Sequence, residues 1–104
     1  MSKIRESARG EDCALQIHPY CNGNPETVVL AHLPSAGHGM ALKSPDWWAV
    51  YACSSCHDVI DARNPQAARE LGAEEITACM IRGLYRTQRR LIDKGLLMVK
   101  VRAA

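Results

Sequence analysis

Ala52-Cys53-Ser54-Ser55-Cys56-His57-Asp58-Val59-Ile60-Asp61 sets two thiols, an imidazole and two carboxylates into ten residues, directly after the apolar run Trp47-Trp48-Ala49-Val50-Tyr51. Two thiols two residues apart can chelate one tetrahedral ion, because the turn between them brings both sulfurs to one side. A helix that opens at His57 carries Asp61 one turn on, on the same face. The stretch thus offers a soft sulfur set and, beside it, a harder nitrogen and oxygen set.

Cys13 and Cys21 complete the first set. Four thiolates satisfy a structural zinc with no imidazole, so His18, between them, is a spare donor. The segment around Cys13 and Cys21 is poor in apolar residues and ends in the turn-forming Asn22-Gly23-Asn24-Pro25. A metal held by Cys13, Cys21, Cys53 and Cys56 explains how such a segment stays ordered. Free cysteine also packs as a small apolar residue, which is the simple account of Cys79 inside a helical pattern.

The elements around the motif follow from periodicity. Residues 27–33, rich in branched side chains and bounded by Pro25 and Pro34, read as a strand, and residues 47–52 as a second. A helix over about 56–63 follows, closed by Asn64-Pro65, since a residue before proline avoids helical geometry. Residues 66–71 add a helical turn up to Gly72. Residues 74–94 give the longest helical signal, with Ile76, Met80, Leu84 and Leu91 at the 3.6 period and Gly95 as the C-cap. A short N-terminal helix or arm with Ile4 and Ala8, a loop over 35–40 carrying His38, and residues 96–101 as a terminal strand or an extension of the helix complete the reading.

At 104 residues the chain fits one domain, residues 1–104, with a core over about 11–63 and a C-terminal helical extension over about 66–104. The first residues are polar and charged, unlike a signal peptide, and the longest apolar run is too short to span a bilayer. No membrane partner is expected. Clustered cysteines without such a leader point to a reducing cytoplasm and to metal ligation rather than disulfides. The net charge of +2 is nearly balanced. Its distribution is more telling, with Lys3, Arg5 and Arg9 gathered at the start and Arg82, Arg86, Arg89, Arg90 and Lys94 in the last quarter. Both groups can meet phosphates or simply be solvated faces.

Strand, strand, helix, with His32 on the first strand and His57 and Asp61 on the helix, resembles the HNH, or His-Me finger, nuclease superfamily. Asn22-Gly-Asn-Pro-Glu-Thr, Leu30-Ala-His32 and Ala52-Cys-Ser-Ser-Cys-His-Asp are similar to the small YbcO-like nucleases of phages and prophages, over most of residues 5–62. The resemblance implies an α+β fold with a small zinc-stabilised ββα-metal core and an added C-terminal helix. It implies a DNA endonuclease in which His32 is the general base and His57 and Asp61 hold a catalytic divalent ion such as Mg²⁺, Mn²⁺, Ni²⁺ or Zn²⁺. Such an ion polarises a phosphate oxygen, and a neutral imidazole, titrating in water near about 6.5, takes a proton from the attacking water.

Two positions depart from that pattern. Ala31 stands where many members carry another metal ligand, and Trp48 where an asparagine orients the base; Asp46, two residues away, is a second candidate for the orienting role or else a turn cap. They keep open a non-catalytic zinc module that binds nucleic acid or a partner protein. A redox dithiol at Cys53 and Cys56 ranks last, because the βαβ setting it needs is missing. Arg82, Arg86, Arg89 and Arg90 are the expected nucleic-acid contacts.

Overall fold

The computed structural model describes residues 2–34 and 44–100. His38, the 35–40 loop and Val101 lie outside these residues. The described chain runs α1 (Lys3–Ser7), a 3₁₀ turn (Pro25–Thr27), β1 (Val29–His32), β2 (Ala49–Ala52), α2 (Ser54–Ile60) and α3 (Pro65–Asp93). The strands pair antiparallel, Val29 with Ala52 and His32 with Ala49, in a two-stranded sheet. Both strands are shorter than the expected 27–33 and 47–52, and α2 starts two residues early because Cys53 is its N-cap; it stops at Ile60, short of the expected 63, and Asn64 and Pro65 cap and open α3 instead of closing α2.

A two-stranded ribbon leaves one edge of each strand open, and an open edge costs stability and invites wrong pairing. Here the outer edge of β2 is closed at Tyr51 by two distant segments. The Ala14 N–H donates to the Tyr51 carbonyl at 2.8 Å, and the Tyr51 N–H donates to Thr87 Oγ1 on α3 at 3.0 Å. Gly83, one turn before Thr87, makes room for this, since a Cβ there would stand 3.0 Å from Leu15 Cδ2. Leu15, Ile17, Val50, Tyr51, Leu91 and Thr87 are fully buried around this junction.

Polar side chains finish the grip of α3. Arg86 Nη1 donates to the Ala14 carbonyl and Arg90 Nη1 to that of Asp12, each at 2.8 Å. Lys94 Nζ reaches the Ser7 carbonyl at 3.1 Å and Glu11 at 2.6 Å. Arg90 and Lys94 also lie over the Tyr51 ring, 5.9 and 5.5 Å from its centre, while the Tyr51 hydroxyl meets Ser7 Oγ at 2.7 Å. The helix reading at residues 66–71 and 74–94 is met as two helical pieces joined through Gly72, whose φ of 80° and ψ of 160° break the helix. At the far end Gly95, at φ 75°, carries a Schellman closure: the Leu96 N–H bonds the Leu91 carbonyl at 2.9 Å and the Gly95 N–H that of Ile92 at 3.0 Å. Leu96–Lys100 forms no strand, which leaves the expected terminal strand without support over its described part.

Thr87→Val tests this closure. It keeps the shape of the side chain but leaves the buried Tyr51 N–H without an acceptor, so denaturant unfolding should show a loss of about 1–3 kcal/mol. Thr87→Ser should retain most of the wild-type stability.

Candidate metal centre and adjoining histidine sites

Cys13 lies on the segment that closes β2, Cys21 before the 3₁₀ turn, Cys53 at the end of the hairpin and Cys56 in the first turn of α2. Their four sulfurs lie within 4.8 Å of one another, the set of three or more ligand-type side chains so gathered among the described residues. The Cys21 and Cys53 sulfurs are 3.9 Å apart; ligand arms of about 2.3 Å at tetrahedral angles give about 3.8 Å. Cys13, Cys53 and Cys56 are buried and Cys21 is partly exposed. The arrangement therefore suits a tetrahedral ion such as zinc.

Backbone donors support the sulfurs. Cys53 N–H points to Cys13 Sγ, Cys56 N–H to Cys53 Sγ and Ile17 N–H to Cys56 Sγ, each at 3.4 Å. Such second contacts orient ligands and temper their charge. The hydrogen bond from Cys56, with smaller help from backbone N–H groups and against the effect of burial, holds the Cys13 thiol down to about 4. The same bond, with burial, pushes the Cys56 thiol up. Burial first of all raises Cys21 to about 11. Crowded buried sulfurs share protons in this way because they cannot all be anions without a cation among them.

The loop that carries Cys21 is tied to α2 by its own polar residues. The Asn22 amide nitrogen donates to Ser54 Oγ at 3.0 Å and Ser55 Oγ at 3.2 Å. Thr27 Oγ1 accepts from the Ser54 N–H at 3.2 Å. The turn-rich composition of residues 22–25 signals a loop; its docking on α2 has no local signature. His18 is exposed and stands outside the sulfur set, and Cys79 is buried on α3, 5% exposed, beside Glu75 and Arg82.

His32 ends β1, where its Nε2 meets Asp46 Oδ1 at 2.8 Å. The bond to His32, then those of Ser2 and Arg5, hold the Asp46 carboxyl below the usual carboxylate range against partial burial. Arg5 Nε lies 3.3 Å from the same oxygen. The Asp46 carboxylate thus faces His32 and Arg5. Arg5 has no sequence signal, since it lies 41 residues away.

His57 in α2 and Asp61, the C-cap of that helix, come together one turn apart, Nε2 to Oδ2 at 3.0 Å. Arg63 Nη1 shares that oxygen at 3.3 Å, while its Nε bonds Asp58 at 2.9 Å. A histidine and a carboxylate so placed are donors suited to a borderline or hard divalent ion, with positions left open for other ligands. His32 is not gathered with them into a three-donor cluster.

The four α3 arginines diverge. Arg86 and Arg90 turn back onto backbone carbonyls, Arg82 pairs with Glu75 at 3.2 Å, and Arg89 lies along Tyr85. Trp47 is half exposed and meets Trp48 edge to face at 6.2 Å, and Trp48 Nε1 donates to the Pro34 carbonyl. No described helix is long and apolar enough to cross a membrane.

Comparison with known proteins adds three findings. A family model described as "Putative nuclease YbcO" matches residues 2–96. Proteins of that same description from Escherichia coli K12 and from Enterobacteria phage 82 are each 41% identical over 98 residues, spanning 93% of this chain and 98% of theirs. A solved structure from Escherichia coli K-12, described as that of "a putative bacteriophage protein", aligns with a TM-score of 0.73 at 39% identity, over 89% of this chain and all of its own.

Proposed function

Because the chain belongs to the YbcO family, we propose that it is a metal-dependent endonuclease, of phage or prophage origin, that hydrolyses DNA phosphodiester bonds in the cytoplasm. In this reading β1, β2 and α2 form a ββα-metal core of the HNH type, held by zinc on the four cysteines. The observation that carries it is the 2.8 Å bond between His32 and Asp46. With Nε2–H given to the carboxylate, Nδ1 is the ring nitrogen left to take a proton from water, and Asp46 stabilises the imidazolium that forms.

His57 and Asp61 would hold the catalytic ion, which when bound stabilises charge on the phosphate and on the leaving oxygen. Asp61 already faces one cation, the Arg63 guanidinium. Loading the site therefore requires Arg63 to give up one of its two carboxylates, a motion open to an exposed side chain. The same contact favours the second reading, a zinc module that binds DNA or protein without cutting. Incubating the zinc-loaded protein with duplex, single-stranded and branched DNA in Mg²⁺, Mn²⁺, Ni²⁺ or Zn²⁺ separates the two. Cleavage with at least one ion is expected; none with any of them gives the second reading its place.

DNA contact falls to the basic side of α3, Arg82, Arg86, Arg89 and Arg90. Arg82 reports on it most cleanly, since its side chain is 52% exposed. Arg82→Ala should flatten the log–log dependence of DNA affinity on salt by about one unit and leave sequence preference unchanged. Arg86→Ala and Arg90→Ala should in addition lower stability, because each guanidinium serves a backbone carbonyl.

A further inference from the structure

The outward face of α3 is apolar where a solvated helix is polar. Ile81 is 64% exposed, Tyr85 63% and Ile92 41%. With Glu74, Ala78 and Gln88 they follow the alternating three- and four-residue spacing of a helix–helix seam. The Gln88 amide holds the Trp47 carbonyl at 2.8 Å, which joins exposed Trp47 to the same patch. Beside the seam runs a groove of 330 Å³ lined by Leu33, Pro34, Trp48, Met80, Ile81 and Leu84. Exposed tyrosine, tryptophan and arginine against an apolar groove are the composition of an interface centre.

Charge identifies the occupant. Glu74 stands seven residues before Ile81 and Arg89 eight after it, on the same side of the helix. A face with an anion at one end, a cation at the other and apolar residues between is complementary to itself when turned end for end. We infer that α3 pairs antiparallel with α3 of a second copy of this chain, around a two-fold axis near Ile81. Glu74 of each copy then meets Arg89 of the other, and Ala78 faces Tyr85. Small Ala78 leaves space for the ring, and Arg89 already lies along Tyr85, its guanidinium 6.0 Å from the ring centre. A phosphate surface does not suit this seam, whose middle is uncharged.

Sedimentation or light scattering on the zinc-loaded full chain, from about 1 to about 200 µM, tests the pairing by mass action. The expected mass rises to twice the 11.5 kDa of the chain. Ile81→Glu should raise the dissociation constant at least about tenfold while leaving the thermal midpoint of the dilute protein unchanged, because the side chain is exposed. Glu74→Arg and Arg89→Glu should each weaken the dimer, and the two together in one chain should restore it. A monomer at every concentration, a dimer indifferent to Ile81→Glu, or a double exchange that fails to restore pairing would overturn the inference. Arg89 borders both this seam and the basic side of α3, so Arg82→Ala, outside the seam, should leave the mass untouched.

Discussion

Cys56→Ser should release the metal and lower the unfolding free energy by about 3–5 kcal/mol, the largest stability loss expected from any single substitution in this chain. The backbone N–H of Cys53 reaches the Cys13 sulfur across 40 residues of sequence. Closing a loop of that length by a cross-link removes about 4 kcal/mol of unfolded-chain entropy on a chain-entropy estimate. Residues 11–25 are held otherwise by the buried Ala14, Leu15 and Ile17, which correct the expectation of an apolar-poor segment, by the Ala14–Tyr51 backbone bond, by the bonds from α3 and by the Asn22 contacts with α2. In a domain of this size a loss of that order lowers the thermal midpoint by roughly 15–30 °C. A strong chelator should do the same to the wild type, and elemental analysis should find about one zinc per chain before treatment. A melting curve unmoved by chelation, in protein without zinc, would remove the metal centre from the account.

The second large effect concerns cleavage. His32→Ala should reduce the rate by a factor of about 10² to 10⁴ and leave fold and zinc content unchanged, since the imidazole is outside the sulfur set, with only a small fall in melting from the lost Asp46 bond. Asp46→Asn should give a smaller loss, because it withdraws the charge that favours the imidazolium while the ring remains. His57→Ala should act through the metal, raising the concentration of divalent ion needed for half-maximal cleavage, and Asp61→Ala should do so more mildly where water takes the place of the carboxylate. Single-turnover cleavage across an ion titration measures all four. Wild type cutting no faster than His32→Ala under every condition would transfer the chain to the non-catalytic reading.

Much of this was legible in the residues because it is local. The thiol spacing of Cys53 and Cys56, the one-turn step from His57 to Asp61 and the glycine after Lys94 each fix their own surroundings, whereas Asn64-Pro65, read as the close of one helix, opens the next. What escaped depends on chain partners far apart. The apolar period of α3 points to Ile76, Met80, Leu84 and Leu91 as its inner face; Leu91 is fully buried, yet the other three are only partly so, while Gly83 and Thr87 are fully packed. The reason is distance of approach: the 13–15 segment comes so close that only small side chains fit beneath it. Arginines at 86 and 90 read as a solvent stripe for the related reason that a long side chain can reach back to carbonyls around such a narrow contact. Arg5 on Asp46 has the same character, a bond between residues 41 apart that no window of sequence contains.

The hydroxyl of Thr87 that meets the Tyr51 N–H also sets a clock on synthesis, for it leaves the ribosome 36 residues after its partner. At about 5–20 residues per second that is an interval of roughly 2–7 s. By its start the hairpin is nearly out and Cys53 and Cys56 follow at once, so all four cysteines are available to one another long before α3 reaches the edge of β2. For those seconds the Ala14 N–H can already cover the Tyr51 carbonyl, but the Tyr51 N–H waits for its acceptor, and the speed of translation through residues 57–87 decides how long that donor is available to neighbours.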